Sequence, residues 1–489
     1  MAVLSQLVGR PAAPRRPADA SPQLVLAIVC AGVVLASLDL FIVNVALPQM
    51  ARDFHVQGSA VADLSWVLNA YAIVYAALLV LFGRVAERYP RERAFLLGVA
   101  MFVAASAACG AATSVAMLVA FRVVQAAGAA LLTPTSLGLI LATSPPERRH
   151  GAIRTWTAVG GLAAAAGPVV GGLLVAASWR WVFLVNVPIG LAALAVGWRR
   201  LPHVPGHHVP RPDALGALLI TGGVGALVLG LVNGPGWGWG DSRTLVALAA
   251  GVVAVALFTF HSLHHRNPLV DRALFRLRPF TGASAVALFF SVAFGAMLLS
   301  RVLWAQDVWH WSALTTGLAI APGPLMVPLF SFLLAGRLTA RFGPGPVIAA
   351  GSTIFAGGAA WWALAMGLEP DYAGDMLGGM ILTGIGVGLT LPTLMATGAA
   401  SLPPQSFATG SAVVNMLRQI GLAVGVAIVI AIVGSARTGE ELLRVYERSS
   451  WVIAALSLAA GAIGLALLAR HPGEATSPGA AAVAQTPAT

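Results

Sequence analysis

A chain of 489 residues that is 58% hydrophobic and 10% charged, with a mean hydropathy of +0.85, falls outside the soluble class, where about a quarter of residues carry charge. Its formal charge of +11 comes from 29 arginines and no lysine, so a phosphate-cradling glycine loop ending in lysine is excluded. The arginines also lie in short segments between apolar runs rather than in the dense patch of a nucleic-acid binder, and the two cysteines, Cys30 and Cys109, sit in different apolar runs and support neither a disulfide framework nor a metal site.

The first 22 residues, rich in Pro, Ala and Arg, read as a cytoplasmic tail. The apolar run that follows is about 24 residues long, beyond the usual 7–15 of a signal peptide, and contains Asp39, so it reads as an uncleaved first span. About 20 apolar residues cross a bilayer. On that measure the chain holds about fourteen spans, near 24–47, 61–82, 94–111, 115–140, 151–176, 181–198, 213–233, 244–263, 280–304, 313–336, 346–366, 376–399, 407–434 and 450–469. The end, 471–489, is rich in Ala, Pro, Gly, Ser and Thr and reads as a disordered cytoplasmic tail.

Arginine placement selects the orientation. With the N-terminus inside, about twenty arginines fall in cytoplasmic segments and seven outside (Arg52, Arg180, Arg243, Arg301, Arg437, Arg444 and Arg448), as the positive-inside rule requires. An even number of spans then puts both termini in the cytoplasm, and Trp237 and Trp239 suit an interfacial belt outside. Two strings recur: Gly83-Arg84-Val85-Ala86-Glu87-Arg88-Tyr89 against Gly336-Arg337-Leu338-Thr339-Ala340-Arg341-Phe342, and Gly128 to Thr135 against Gly386 to Thr393, at offsets of 253 and 258 residues. Parallel repeats of this kind are a transporter architecture, with substrate bound between halves near the midplane.

Asp39 is the informative residue. A carboxylate mid-span costs about 2.5–3.5 kcal/mol on insertion scales, so it faces a cavity or a charged partner. Arg122 is a second charge deep in a span, and Gln125, three residues on, shares its helix face. An Asp–Arg pair offsets part of both burial costs, and a step that separates the two favours proton uptake; a permanent structural salt bridge is the alternative. Gln125 either hydrogen-bonds Asp39 or substrate, or serves interhelical packing. Arg418, with Asn415 and Gln419 nearby, contacts substrate or braces helices. Gly167, Pro168 and Gly171 permit close helix approach and bending. Histidines fall mostly in loops (His203, His207, His208, His261, His264, His265) without ligand spacing.

Several strings taken in order resemble one family. Leu38-Asp39-Leu40-Phe41-Ile42-Val43-Asn44-Val45-Ala46-Leu47-Pro48, the loop from Gly83 to Arg93, Arg122-Val123-Val124-Gln125-Ala126-Ala127-Gly128, Gly167-Pro168-Val169-Val170-Gly171-Gly172, Trp179 to Gly190 and Asn415 to Gly421 are similar to the fourteen-span drug:proton antiporters of the major facilitator superfamily. The loop departs from the family pattern, with Glu87 and Pro90 where Asp and Gly are usual. The resemblance implies an all-α integral membrane protein with a major-facilitator fold, two six-helix bundles plus two inserted helices. The bundles are expected at 23–200 and 279–470, with the insertion at 201–278. It implies a proton-coupled antiporter that exports hydrophobic or amphiphilic drugs by alternating access. Asp39 and Arg122 would carry coupling, and Asn44, Gln125, Asn415, Arg418 and Gln419 would line the cavity. Gly83, Arg84, Glu87 and Arg88 would gate, and Gly167, Pro168, Gly171 and Gly172 would seal the leak path. Expected partners are a small amphiphilic substrate, protons and lipid, with no nucleic acid and no cofactor, in a monomer of the cell membrane rather than an enzyme. A carrier of a specific metabolite or siderophore, and a non-transporting membrane sensor, are the competing readings.

Overall fold

The computed structural model describes residues 21–55, 60–206, 213–270, 272–402, 407–434 and 439–468. Residues 1–20 and 471–489 of the expected tails, the His207–His208 pair and the side chain of Glu87 lie outside the described residues. All regular structure among the described residues is helical, and 14 helical stretches are long and apolar enough to cross a membrane, as the sequence predicts. This is a multi-pass membrane protein. Helices follow from the solvent, because a lipid interior offers no partner to a backbone amide or carbonyl.

The first helices are α1 (Pro22–Asp53), α2 (Ala60–Arg88), α3 (Arg91–Gly110), α4 (Val115–Thr143) and α5 (Pro146–Ala177). Their starts obey local chemistry. The Ser21 hydroxyl accepts the Leu24 amide at 3.3 Å ahead of α1, and the Ser114 hydroxyl accepts the Met117 amide at 3.2 Å ahead of α4. The expected sixth span is two pieces, α6 (Trp181–Leu184) and α7 (Asn186–Arg200), followed by α8 (Ala214–Trp237) and α9 (Ser242–His264). His261 and His264 therefore lie on the last turn of a helix, where the sequence suggests a loop.

Beyond them come α10 (Arg278–Leu303), α11 (Ala313–Ile320), α12 (Pro322–Phe330), α13 (Gly336–Phe342), α14 (Pro344–Ala365), α15 (Gly378–Ala400), α16 (Phe407–Val433) and α17 (Gly439–Leu468). The predicted single span at 313–336 is one membrane-capable stretch, Ala313–Phe342, with a turn at Ala321. Pro322, Pro324 and Pro328 each remove an amide donor, and the helix resumes through a widened π turn at Ser331–Ala335.

The chain divides into two compact units: Met1–Leu227 with Val246–Leu269 and Ser312–Gly317, and Val228–Leu245 with Val270–Trp311 and Leu318–Thr489. Of residues 201–278, 201–227 and 246–269 fall in the first unit and 228–245 and 270–278 in the second. Inside the first unit α1 packs on α5 and α3 on α4; inside the second α10 packs on α16 and α14 on α15. The repeated glycines do the same work in both. A Cβ on Gly128 would stand 2.7 Å from the Phe102 nitrogen and 2.9 Å from the Gly98 carbonyl; one on Gly386 would stand 2.8 Å from the Phe355 nitrogen and 2.6 Å from the Gly351 carbonyl. Gly98 and Gly351, and Phe102 and Phe355, are 253 residues apart, the offset that relates Gly83 to Gly336. Outer faces are apolar: Leu364 is 78%, Leu218 69% and Val246 66% exposed, surfaces that suit lipid and not water.

Candidate functional site

Four helices of the first unit bring polar groups around Asp39 in α1. From α4 come Arg122 and Gln125, one turn apart on one face; from α3 come Ser106 and Cys109, also one turn apart. Asn186 is the first residue of α7, and α2 supplies the Val67 carbonyl and the Tyr71 ring. Asp39, Arg122, Gln125, Asn186 and Ser106 are wholly buried.

The arrangement is a closed ion pair. Arg122 Nη1 donates to Asp39 Oδ2 and, at 2.8 Å, to Gln125 Oε1, while its Nε donates to the Val67 carbonyl at 2.9 Å. The other carboxylate oxygen, Asp39 Oδ1, accepts from Gln125 Nε2 at 2.8 Å and from Asn186 Nδ2 at 3.2 Å. Gln125 Nε2 also donates to Ser106 Oγ at 2.8 Å, which fixes the amide between two acceptors. The guanidinium carbon lies over Tyr71, 4.0 Å from the ring centroid, so the weakly hydrated cation meets π density instead of water. Arg122 Nη2 and Asn186 Oδ1 have no hydrogen-bond partner among the described residues, leaving a spare donor and a spare acceptor inside the cluster.

Removing one partner of a buried pair costs about 3–5 kcal/mol, because the remaining charge is stranded. The pair can therefore open only if something compensates each half. A proton on the carboxylate neutralises Asp39, and a polar or anionic group can take its place beside Arg122.

The other predicted residues are placed as follows. Asn44 turns back on its own helix, its amide donating to the Leu40 and Phe41 carbonyls at 3.2 Å each, and it does not join the cluster. Gly167 and Gly171 hold α5 against α1 beside Asp39: a Cβ would stand 2.8 Å from Phe41 Cβ at the first and 2.9 Å from the Ile42 carbonyl at the second. Pro168 lies inside α5, and a Cβ on Gly172 would stand 2.7 Å from the Ala313 carbonyl of the same unit. Gly83 is buried, Arg84 Nη2 donates to the Pro268 carbonyl at 2.9 Å, and Arg88 is exposed. In the second unit Arg418 Nη1 donates to Asn415 Oδ1 at 2.9 Å, Asn415 donates to the Ser411 carbonyl at 3.1 Å, and Gln419 is buried on the same helix.

Two features went unread in the sequence. Asn186 and Ser106 are small polar residues in apolar helices, a common sight, and only their convergence gives them meaning. Arg301, expected in an outer segment, is instead buried in the last turn of α10 because the helix continues into a π turn at Trp304–Val308. Its guanidinium donates to Ser300 Oγ at 2.7 Å and Ser450 Oγ at 3.2 Å and lies 4.8 Å from the Trp362 ring centroid.

Known proteins share both sequence and architecture with this chain. The tetracenomycin C resistance and export protein of Streptomyces glaucescens is 33% identical over 86% of this chain and 77% of its own. The methylenomycin A resistance protein of Bacillus subtilis (strain 168) is 33% identical over 93% of this chain and 96% of its own, and the puromycin resistance protein pur8 of Streptomyces alboniger is 35% identical over 82% and 80%. Among solved structures, the peptide transporter POT in complex with sulfate matches with a TM-score of 0.64 at 17% identity, covering 90% of this chain and 94% of that one, a likeness of fold alone. Residues 29–426 match the family model of the Major Facilitator Superfamily, and with fourteen membrane-capable helices in two similarly paired units the chain belongs to that superfamily of transporters.

Proposed function

We propose that this protein exports hydrophobic or amphiphilic antibiotics across the cell membrane in exchange for protons, with both termini in the cytoplasm. The wholly buried Asp39–Arg122 pair carries the reading. Three of the relatives are named for resistance to tetracenomycin C, methylenomycin A and puromycin, which supports an antibiotic cargo.

In the proposed cycle the ion pair holds the empty site shut. Once substrate has left to the outside, rocking of the bundle draws Arg122 away, and Asp39 takes a proton from that side because a bare carboxylate in apolar surroundings is costly. Gln125 and Asn186 keep the carboxyl in place while its charge changes. On the cytoplasmic side, substrate entry and the return of Arg122 expel the proton there. Asn415, Arg418 and Gln419 offer polar contacts to substrate, Arg84, Glu87 and Arg88 gate the cytoplasmic end, and Gly167, Pro168, Gly171 and Gly172 keep helices close enough to exclude water during the exchange.

Everted vesicles from an efflux-deficient host test this directly. With Asp39→Asn, substrate-induced proton release should vanish and uphill export should cease, while downhill substrate movement persists. Uphill export by Asp39→Asn at the wild-type rate would overturn proton exchange through this residue.

A further inference from the structure

Asp213, His261 and His265 offer ligand atoms that all lie within 4.8 Å of one another. Asp213 precedes α8 and is buried; His261 is half-buried on the last turn of α9, and His265 follows one turn later and is exposed. We propose that these three side chains form a binding site for a first-row divalent cation of the Zn²⁺ type, separate from the Asp39 cluster.

The donor set and its spacing support that assignment. Two imidazoles and one carboxylate suit zinc and its neighbours rather than magnesium or calcium, which take oxygen ligands. His261 Nε2 lies 3.0 Å and 3.1 Å from the two Asp213 oxygens, close to the roughly 3.3 Å that separates two ligands on a tetrahedral zinc. The His261 and His265 rings lie 4.7 Å apart between centroids at 35°, the relation of residues one helical turn apart. The third donor, His265, is exposed, and its Nδ1 accepts the Asn267 amide at 3.2 Å in a bond that water can replace. A fourth position would remain open to water.

Asp213 is already held as a ligand should be. Its Oδ1 accepts the Gly216 amide at 2.8 Å and its Oδ2 the Leu269 amide at 3.0 Å, so the carboxylate is aimed before any cation arrives. The neighbouring Arg266 and Arg272 are exposed, where salt screens their repulsion. The site is also tied to the end of α2, since Arg84 holds the Pro268 carbonyl, one residue before the Leu269 amide that Asp213 accepts. A bound cation would clamp the start of α8 to the end of α9 beside the end of α2.

The test uses the full chain carrying a tag without histidine, purified in detergent, stripped with chelator and titrated calorimetrically with Zn²⁺. One equivalent should bind saturably, with His265→Ala weakening it by about tenfold or more and His264→Ala, on the same helix end but outside the cluster, leaving it unchanged. Co²⁺ should give visible ligand-field bands that His265→Ala weakens. His265→Ala is solvent-facing, so loss of binding there does not reflect misfolding, and a near-native thermal midpoint of the variant checks this. No saturable binding, binding equal in His265→Ala and wild type, or loss in His264→Ala would each overturn the site. None of these outcomes depends on transport, so failure here leaves the export reading untouched.

Discussion

Asp39 and Arg122 could be singled out from sequence because a charge inside an apolar run carries a cost that only function or pairing offsets. Gln125 followed from its helical spacing to Arg122. The geometry then separates two roles that the residue type alone leaves open. Arg122 engages three partners through two nitrogens and stacks on Tyr71, a planar fork that lysine cannot reproduce. Arg122→Lys should keep the charge yet lower proton-coupled export by roughly tenfold or more, the worth of one lost charge-assisted hydrogen bond of about 1.5–3 kcal/mol, read as initial efflux rate at matched expression. Asn44 makes only bonds to its own helix. Asn44→Ala should therefore leave the efflux rate within about twofold of wild type, because it removes no bond to the Asp39 cluster. A large loss in that assay would support a direct role for Asn44 in the cavity.

At the scale of elements, glycine decides which helices touch. The Gly98–Gly128 crossing and the Gly351–Gly386 crossing each bring two backbones to a separation that a methyl group cannot enter. Gly128→Ala and Gly386→Ala should each destabilise the detergent-solubilised protein by about 1–3 kcal/mol, seen as a lower thermal midpoint, since neither backbone can yield cheaply. Gly161→Ala, with nothing within 4 Å of the new Cβ, should be neutral or slightly stabilising in the same measurement. If Gly386→Ala is silent while Gly128→Ala is not, the two units do not share this device. The sequence marks where spans start and stop well, because hydropathy and capping are local. It did not show the π turns at Trp304–Val308 and Ser331–Ala335, because a helix widens according to what its neighbours donate to freed carbonyls, and those neighbours are distant in sequence.

For the whole molecule, the charge ledger limits what one coupling carboxylate can drive. One charge crossing about 100 mV provides about 2.3 kcal/mol, and one pH unit about 1.4 kcal/mol. A neutral substrate exchanged for one proton can be concentrated by nearly three decades, whereas a monovalent cation moves no net charge and is limited to about tenfold. Collapsing the membrane potential with valinomycin and potassium should thus reduce export of neutral substrates and spare that of monocations, and dications should be exported poorly with Arg122 and Arg418 both embedded. Strong dication export in an efflux panel would contradict this. The sequence by itself determined that the chain lives in a bilayer, how many times it crosses, that it carries an internal repeat, and that an acid and a base lie deep within it. Those properties are sums over local residues, and lipid enforces them wherever the chain folds. Only the tertiary structure decided that Gln125 and Asn186 share one carboxylate oxygen, that Asn44 does not reach it, that Arg301 is buried, and that Asp213 meets His261 across 48 residues. Such contacts depend on the angle and depth at which helices cross, and packing of many distant side chains sets both.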